Sequence, residues 1–336
     1  MHDSSSKTSL VDGFGRSHTS LRISVTDRCN IRCFYCMPNQ DVVFRPRAEL
    51  LTFEEIERIV RALVPLGIAK IRLTGGEPLV RAGLPVLVQR LSSVPGIQDL
   101  ALTTNGMLLA EHAESLRGAG LARINVSLDS LREETFQRIA RRPGLDRVLA
   151  GIAAAQRAGF DRIRLNAVAI RGLTEDEILP LAEFARGRGL ELRFIEFMPL
   201  DAEQQWSDGS VLTGREILRR IEAAYGALEP VSRSDPSQPA VDYQFADGRG
   251  SVGFINSVSE PFCSGCNRLR LTAEGQVRNC LFSTEEWDAR AVLRGGGTDT
   301  DLRALVRTCV EAKARAHGIG QARFERPQRA MYQIGG

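Results

Sequence analysis

Three cysteines, Cys29, Cys33 and Cys36, follow directly on a short apolar run at 21–26, and a later run of the same kind ends in Gly75-Gly76-Glu77-Pro78. The spacing C-x3-C-x2-C folds three thiolates around one inorganic centre and leaves a fourth metal position without a protein ligand. Structural zinc is held by a closed set of four ligands, whereas thiolates are also the standard ligands of iron-sulfur clusters, whose fourth iron can be left open. From spacing alone both metals stay possible. An open iron is a place for chemistry.

Seven cysteines, six of them in two short-spaced groups with Cys309 left over, read as metal ligands rather than as a secreted disulfide framework. At 336 residues, 43% hydrophobic and 25% charged, the chain has material for a large core or two domains. No window approaches eighteen consecutive apolar residues, which argues against a membrane partner. The first fifteen residues, rich in Ser, Thr, Asp and Gly, lack the apolar run of a secretory signal, so a disordered tail over 1–15 on a cytoplasmic protein is expected. The net charge of +3 is too small to argue for a nucleic-acid partner. Among 44 basic residues only Lys7, Lys70 and Lys313 are lysines, a strong bias toward Arg.

From residue 16 to about 225, short β-branched or apolar runs alternate with longer amphipathic segments, the pattern of repeated βα units on a parallel sheet. Strands are expected over 21–26, 68–74, 98–104, 122–128, 161–170 and 190–198. The first intervening helix carries a capping box, Thr52 with Glu55, and apolar residues Phe53, Ile56, Val60 and Leu63 at helical spacing. Six units are fewer than the eight of a closed barrel. The expected fold class is therefore α/β, an incomplete six-unit (βα)6 barrel over 16–230, followed over 231–336 by an α+β extension. Pro230, Pro236, Pro239 and several serines make 226–240 read as a linker.

Side-chain alternation within the strands carries a functional clue. Ile23, Val25, Ile71, Leu73, Ile124, Val126, Leu128, Leu165 and Ala167 form an apolar set that should meet the helices. The opposite set is polar: Arg22, Ser24, Lys70, Arg72, Thr74, Asn125, Ser127, Arg162, Arg164 and Asn166. A closed barrel fills its interior with branched apolar residues, so these groups imply a solvated cavity for a polar ligand. Several convergent arginines favour an anion, since the guanidinium fork suits phosphate. In strand 190–198, Arg193 and Met198 fall on opposite parities, and Arg193 stays a weak candidate. The unusual residues gather at strand ends, where parallel barrels place their chemistry: Thr103-Thr104-Asn105-Gly106, Ser127-Leu128-Asp129-Ser130 and Glu196-Phe197-Met198-Pro199 join the two motifs already named.

The run Cys29-Asn30-Ile31-Arg32-Cys33-Phe34-Tyr35-Cys36-Met37-Pro38 resembles the signature of the radical S-adenosylmethionine (SAM) superfamily, Tyr35 supplying the aromatic residue before the third Cys. In that superfamily the amino and carboxylate groups of SAM chelate the open iron of a [4Fe-4S] cluster. Gly75-Gly76-Glu77 resembles the strand-end motif that contacts the amino group. The resemblance implies reductive cleavage of SAM to a 5′-deoxyadenosyl radical, with the protein positioning the hydrogen donor and excluding competitors.

A second group, Cys263-Ser264-Gly265-Cys266-Asn267-Arg268-Leu269-Arg270, is followed by Cys280. A structural zinc knuckle completed by Cys309 or His317 is one reading. The other is an open metal site beside a polyanion, because Arg268 and Arg270 share one strand face next to the thiols. The pairing of two three-cysteine motifs over nearly the whole chain closely resembles the GTP 3′,8-cyclase family. That resemblance implies two [4Fe-4S] clusters, one held by Cys29, Cys33 and Cys36, the other by Cys263, Cys266 and Cys280 and binding the guanine of GTP through its open iron. Tyr35, Gly76, Ser127 and Met198 match its SAM-contact positions. Arg22, Arg72, Thr103, Arg268 and Arg270 match its GTP contacts, and Arg164 stands where the family typically has a lysine. The terminal Gly335-Gly336 resembles a tail that reaches toward the active site.

The implied reaction begins with removal of the 3′ hydrogen of GTP, continues with attack of C3′ on C8, and ends with uptake of an electron and a proton. An external one-electron reductant, a homodimer and handover of a labile product to the next pathway enzyme follow from the same resemblance. A peptide-modifying radical SAM enzyme and a non-catalytic metal-binding module are the competing expectations.

Overall fold

The structure, a computed structural model, describes residues 9–40, 42–233, 235–322 and 324–335. The six expected strands form within two residues of their expected ends, as β1 (Ser20–Ser24), β2 (Lys70–Thr74), β3 (Asp99–Thr104), β4 (Arg123–Ser127), β5 (Ile163–Ala169) and β6 (Glu191–Glu196). Between and after them lie α1 (Phe53–Leu63), α2 (Leu84–Ser92), α3 (Leu109–Gly118), α4 (Glu133–Ala140), α5 (Leu145–Arg157), α6 (Ile178–Arg188) and α7 (Gly214–Tyr225). The α1 start is fixed as its sequence predicts: the Thr52 hydroxyl accepts from the Glu55 amide, and the Glu55 carboxylate accepts from the Thr52 amide at 2.7 Å. Two of the helix's orphan donors are thereby satisfied.

The C-terminal segment supplies β7 (Glu229–Pro230), β8 (Val241–Gln244), β9 (Ser251–Ile255), β10 (Arg268–Leu271), β11 (Gln276–Arg278) and β12 (Trp287–Asp288), then α8 (Ala289–Arg294), α9 (Asp299–Glu311) and α10 (Met331–Ile334). Among the described residues all twelve strands lie in one sheet, ordered β12-β11-β10-β1-β2-β3-β4-β5-β6-β9-β8-β7. The sheet does not close. Both edges of the six-strand core would leave rows of unpaired backbone groups, and the C-terminal segment covers them: β10 pairs parallel with β1 and β9 parallel with β6. The α+β extension is thus built onto the two flanks of the barrel sheet.

The apolar set faces inward to the helices as the alternation requires; Ile23, Val25, Leu73, Ile124, Val126 and Leu165 are fully buried. Two expectations change. Residues 9–15 are ordered rather than a disordered tail. Leu10 is buried with its amide on the Leu66 carbonyl, and Asp12 is buried against Arg16, whose Nε donates to Asp12 Oδ2 at 2.6 Å. The polar composition there serves a buried ion pair, which composition alone cannot distinguish from a solvated tail; residues 1–8 lie outside the described residues. The stretch read as a linker is also structured: β7 pairs with β8, and Asp235, Ser237, Gln238 and Pro239 form part of a cavity wall. Its prolines and serines suit a turn-rich wall as well as a hinge. Among the described residues no helix is long and apolar enough to cross a membrane.

Candidate active site

A cavity of about 640 Å³, within the usual size range of ligand clefts, runs along the parallel strands, lined both by their first residues, Ser20, Lys70, Asp99 and Arg123, and by their last, Thr74, Thr104, Ser127 and Glu196. Strand parity builds its wall. Arg22, Lys70, Arg72, Thr74, Asn125, Ser127, Arg162, Arg164 and Asn166 all line it, as the alternation predicts. Arg193 and Met198 line it as well: β6 ends at Glu196, so the alternation that set them apart no longer applies at Met198.

The first cysteine loop leaves β1 and is pinned from outside. The Arg32 and Phe34 amides donate to the Ala140 and Ile139 carbonyls at the end of α4, and the Cys36 amide donates to the Cys33 carbonyl at 2.9 Å. Cys29, Cys33 and Cys36 are free, partly buried and line the cavity. Asn105 Nδ2 donates toward Cys29 Sγ at 3.7 Å and to Asn30 Oδ1 at 2.7 Å. The glycines of the following motif are required by close approach: a Cβ on Gly75 would sit 2.6 Å from the Thr26 carbonyl oxygen, and one on Gly76 would run into the Arg28 carbonyl. Gly76 N and Glu77 N donate to those same two carbonyls, each at 2.8 Å.

This neighbourhood disfavours charge. Burial and the Glu77 carboxylate push Cys29 up to about 11, and burial and Asp129 push Cys33 well above the usual thiol range. Glu77 itself rises to about 7 through burial, against hydrogen bonds from Asn105 N, Thr104 and Leu79 N. The Tyr35 hydroxyl donates to Asp129 Oδ2 at 2.6 Å, and burial raises Asp129 to about 6. Three free thiols lining one cavity, with a side-chain N–H aimed at one sulfur, fit a thiolate-held cluster with an open position.

The arginines form an ordered row. Register places Arg22 opposite Arg270 on one side and Arg72 on the other, so three guanidiniums stand abreast on β10, β1 and β2. Burial and the neighbouring guanidiniums hold Arg22 well below its ordinary value, and bring Arg72 and Arg270 down to about 9. Arg270 Nη1 donates to the Gly335 carbonyl, which brings the last described residue against Ser24 and Thr74; Gly336 lies outside the described residues. Farther along, the cations are partnered: Arg164 with Glu191, Arg193 with Asp242, Lys70 with Asp235. Asn125 Oδ1, on the cavity wall, is buried and has no hydrogen-bond partner among the described residues, and Asn125 Nδ2 donates to Thr103 Oγ1 at 3.3 Å.

The second cysteine group borders the same cavity through Phe262, Asn267, Arg268 and Leu281. Burial raises Cys263, with Cys280 and Cys266 adding to it. Burial works the same way on Cys266, but the Arg268 and Lys313 cations outweigh it and bring that thiol down to about 6. Neither proposed zinc partner is available. Cys309 is fully buried in α9, and burial pushes its thiol up to about 12. His317 uses both ring nitrogens, Nε2 with the Ser257 carbonyl at 3.0 Å and Nδ1 accepting from Ile319 N at 3.1 Å. Among the described residues no three His, Cys, Asp or Glu side chains converge on a single ion. The donor set, three thiols flanked by cations, fits an anionic thiolate cluster better than a closed zinc site.

Of the sequence-predicted site residues, Cys29, Cys33, Cys36, Tyr35, Gly76, Ser127, Met198, Arg22, Arg72, Thr103, Arg164, Arg268 and Arg270 line this one cavity. Cys263, Cys266 and Cys280 do not line it and are next in sequence to Phe262, Asn267 and Leu281, which do. Sequence reasoning missed Lys313, whose one signal was the rarity of lysine, and Asp235, which lay in the supposed linker. Asp129 and Asn105 were visible only as members of strand-end motifs.

Residues 23–185 match the radical SAM superfamily, and residues 190–319 match Molybdenum Cofactor Synthesis C. SuiB of Streptococcus suis, in a crystal structure bound to S-adenosylmethionine, superposes with a TM-score of 0.61 at 15% identity, over 87% of this chain and 69% of that one. That likeness concerns the fold, and with the cysteine loop and the family match it defines a radical SAM protein, the class that carries SAM and a [4Fe-4S] cluster. Three curated relatives are far nearer in sequence. The GTP 3′,8-cyclases of Rhodopirellula baltica, Pelotomaculum thermopropionicum and Geobacter sulfurreducens are 54%, 46% and 44% identical. Each alignment spans 97% of this chain and, respectively, 92%, 100% and 99% of the relative. The chain belongs to the GTP 3′,8-cyclase family.

Proposed function

We propose that this chain converts GTP to (8S)-3′,8-cyclo-7,8-dihydroguanosine 5′-triphosphate, the first step of molybdenum cofactor biosynthesis. The observation that carries the reading is the row Arg270, Arg22 and Arg72, abreast at one register and, among the described residues, in no ion pair with a carboxylate. Like charges on adjacent strands repel, and buried unpaired charge is costly, so the site is built for a polyanion that offsets both. A nucleoside triphosphate supplies it.

In this reading Cys29, Cys33 and Cys36 hold the SAM cluster, and Tyr35, Gly76, Ser127 and Met198 bind SAM. Bound there, the cluster and SAM supply a carbon radical able to take a hydrogen atom from a sugar carbon. Cys263, Cys266 and Cys280 hold a second [4Fe-4S] cluster that orients the guanine. Arg22, Arg72, Arg268 and Arg270 bind the phosphates, with Thr103 and Arg164 further along the wall. Arg268 is braced for this by the Phe262 ring, 4.5 Å below its guanidinium. Val168, Ile195, Phe197 and Leu200 give the cavity an apolar side that keeps water from the sugar. The electron balance calls for an external one-electron reductant. A homodimer, handover of the product and cytoplasmic residence belong to the same reading.

The test is anaerobic: the protein reconstituted with iron and sulfide, given dithionite, SAM and GTP, and followed by mass spectrometry. Formation of 5′-deoxyadenosine together with a product isobaric with GTP and chemically distinct from it is expected. SAM cleavage with GTP left intact would reopen the question of the substrate.

A further inference from the structure

Lys313 follows the end of α9 and is 5% exposed, unusual for a lysine and therefore in need of partners. It has three, one for each of its protons. Its Nζ donates to Asn279 O at 2.6 Å, to Arg268 O at 2.9 Å, and toward Cys266 Sγ at 3.6 Å. One ammonium thus ties together the strand that carries Arg268, the residue just before Cys280, and the sulfur of Cys266. Arg16 offers a contrast at the same place. Its guanidinium donates to Cys263 O at 2.8 Å, Ala314 O at 2.7 Å and Arg315 O at 2.9 Å, so it braces the backbone, and among the described residues it donates to no sulfur.

We propose that Lys313 is a positioning residue for the second cluster that also sets its reduction potential, through a charged N–H···S hydrogen bond to Cys266. The inference rests on the proposed second cluster. A hydrogen bond and a positive charge at a ligating sulfur stabilise the reduced, more negative state, which raises the potential. The same bond fixes Cys266 beside Arg268, so the metal site and the phosphate-binding guanidinium are set by one group.

The experiment isolates the second cluster in the full chain carrying Cys29→Ala, Cys33→Ala and Cys36→Ala, reconstituted with iron and sulfide. Its midpoint potential is read by EPR-monitored titration with and without Lys313→Met, Lys313→Gln or Lys313→Arg. Lys313→Met and Lys313→Gln are expected to move the midpoint to lower potential at unchanged iron per cluster, and Lys313→Arg to restore part of the shift. An Arg16→Gln control should lower iron occupancy without moving the midpoint. An unchanged midpoint in fully loaded Lys313→Met and Lys313→Gln overturns the tuning role, as does a shift of equal size in Arg16→Gln. Should Lys313→Met fail to fold, Lys313→Gln decides. Absence of iron from the triple-alanine protein, with wild-type chain binding only about four irons, overturns the second cluster itself and the inference with it.

Discussion

At the first cysteine group the thiols are buried beside carboxylates, Glu77 near Cys29 and Asp129 near Cys33, and their protonated forms are favoured. At the second, Arg268 and Lys313 reach Cys266 and favour its thiolate. Both groups have three cysteines, and both border one cavity. In the proposed function their surroundings suit them to different work. A cluster among carboxylates keeps its negative charge uncompensated, which suits delivery of an electron; a cluster among cations tolerates charge and sits beside an anionic ligand. The arginine row continues from the second group along β10, β1 and β2, so the proposed function assigns phosphate to that end of the cavity.

Removing one thiol from each group should separate these roles, with the largest effects. Cys33→Ala should bring 5′-deoxyadenosine formation to background, because no SAM can be cleaved. Cys266→Ala should abolish cyclisation while some uncoupled SAM cleavage persists, both products being followed by mass spectrometry. Full cyclase activity in Cys266→Ala would erase the distinction between the sites.

The arginine row gives the next effect. Arg72→Ala removes a charge-assisted phosphate contact worth about 1.5–3 kcal/mol, so GTP binding measured by calorimetry should weaken about 10–150-fold. SAM binding should not follow it. Equal loss of both ligands would place phosphate and SAM at the same end.

Thiol reactivity sharpens the electrostatic contrast in the cluster-free protein. The thiolate is the reactive form, so a thiol near 6 is mostly ionised at pH 7 while one near 11 is not. The lower intrinsic nucleophilicity of the more acidic thiol recovers part of that gap, leaving Cys266 alkylated about 10–100-fold faster than Cys29. Raising the pH through 7 to 9 should speed Cys29 steadily and leave Cys266 nearly flat. Peptide mapping after timed iodoacetamide treatment reads both. The smallest effect belongs to Arg164→Lys. Charge is kept, only the Nε contact to Glu191 is lost, and GTP affinity should change by about two- to tenfold.

Much of this contrast was written in local sequence. Strand parity alone sorted Arg22, Arg72 and Asn125 from Ile23, Ile71 and Ile124, because a period of two is a local property. Short-spaced cysteines are local too. What the sequence withheld is long-range: that β9 and β10 seal opposite edges of the barrel sheet, and that register sets Arg270 beside Arg22. Lys313 reaches Cys266 across 47 positions, and Arg16 reaches the Cys263 carbonyl across 247, distances at which no periodicity speaks. The ordered residues before β1 escaped for the same reason. Their apolar anchor, Leu10, acquires its meaning from Leu66.

Division of labour between the two cysteine groups is tested most directly with GTP carrying deuterium at C3′. In the reconstituted wild-type chain the deuterium should appear in 5′-deoxyadenosine, and in Cys266→Ala the 5′-deoxyadenosine formed should be unlabelled. Label transfer at the wild-type rate in Cys266→Ala would mean that the second group does not place the substrate, and the account would fail at its centre.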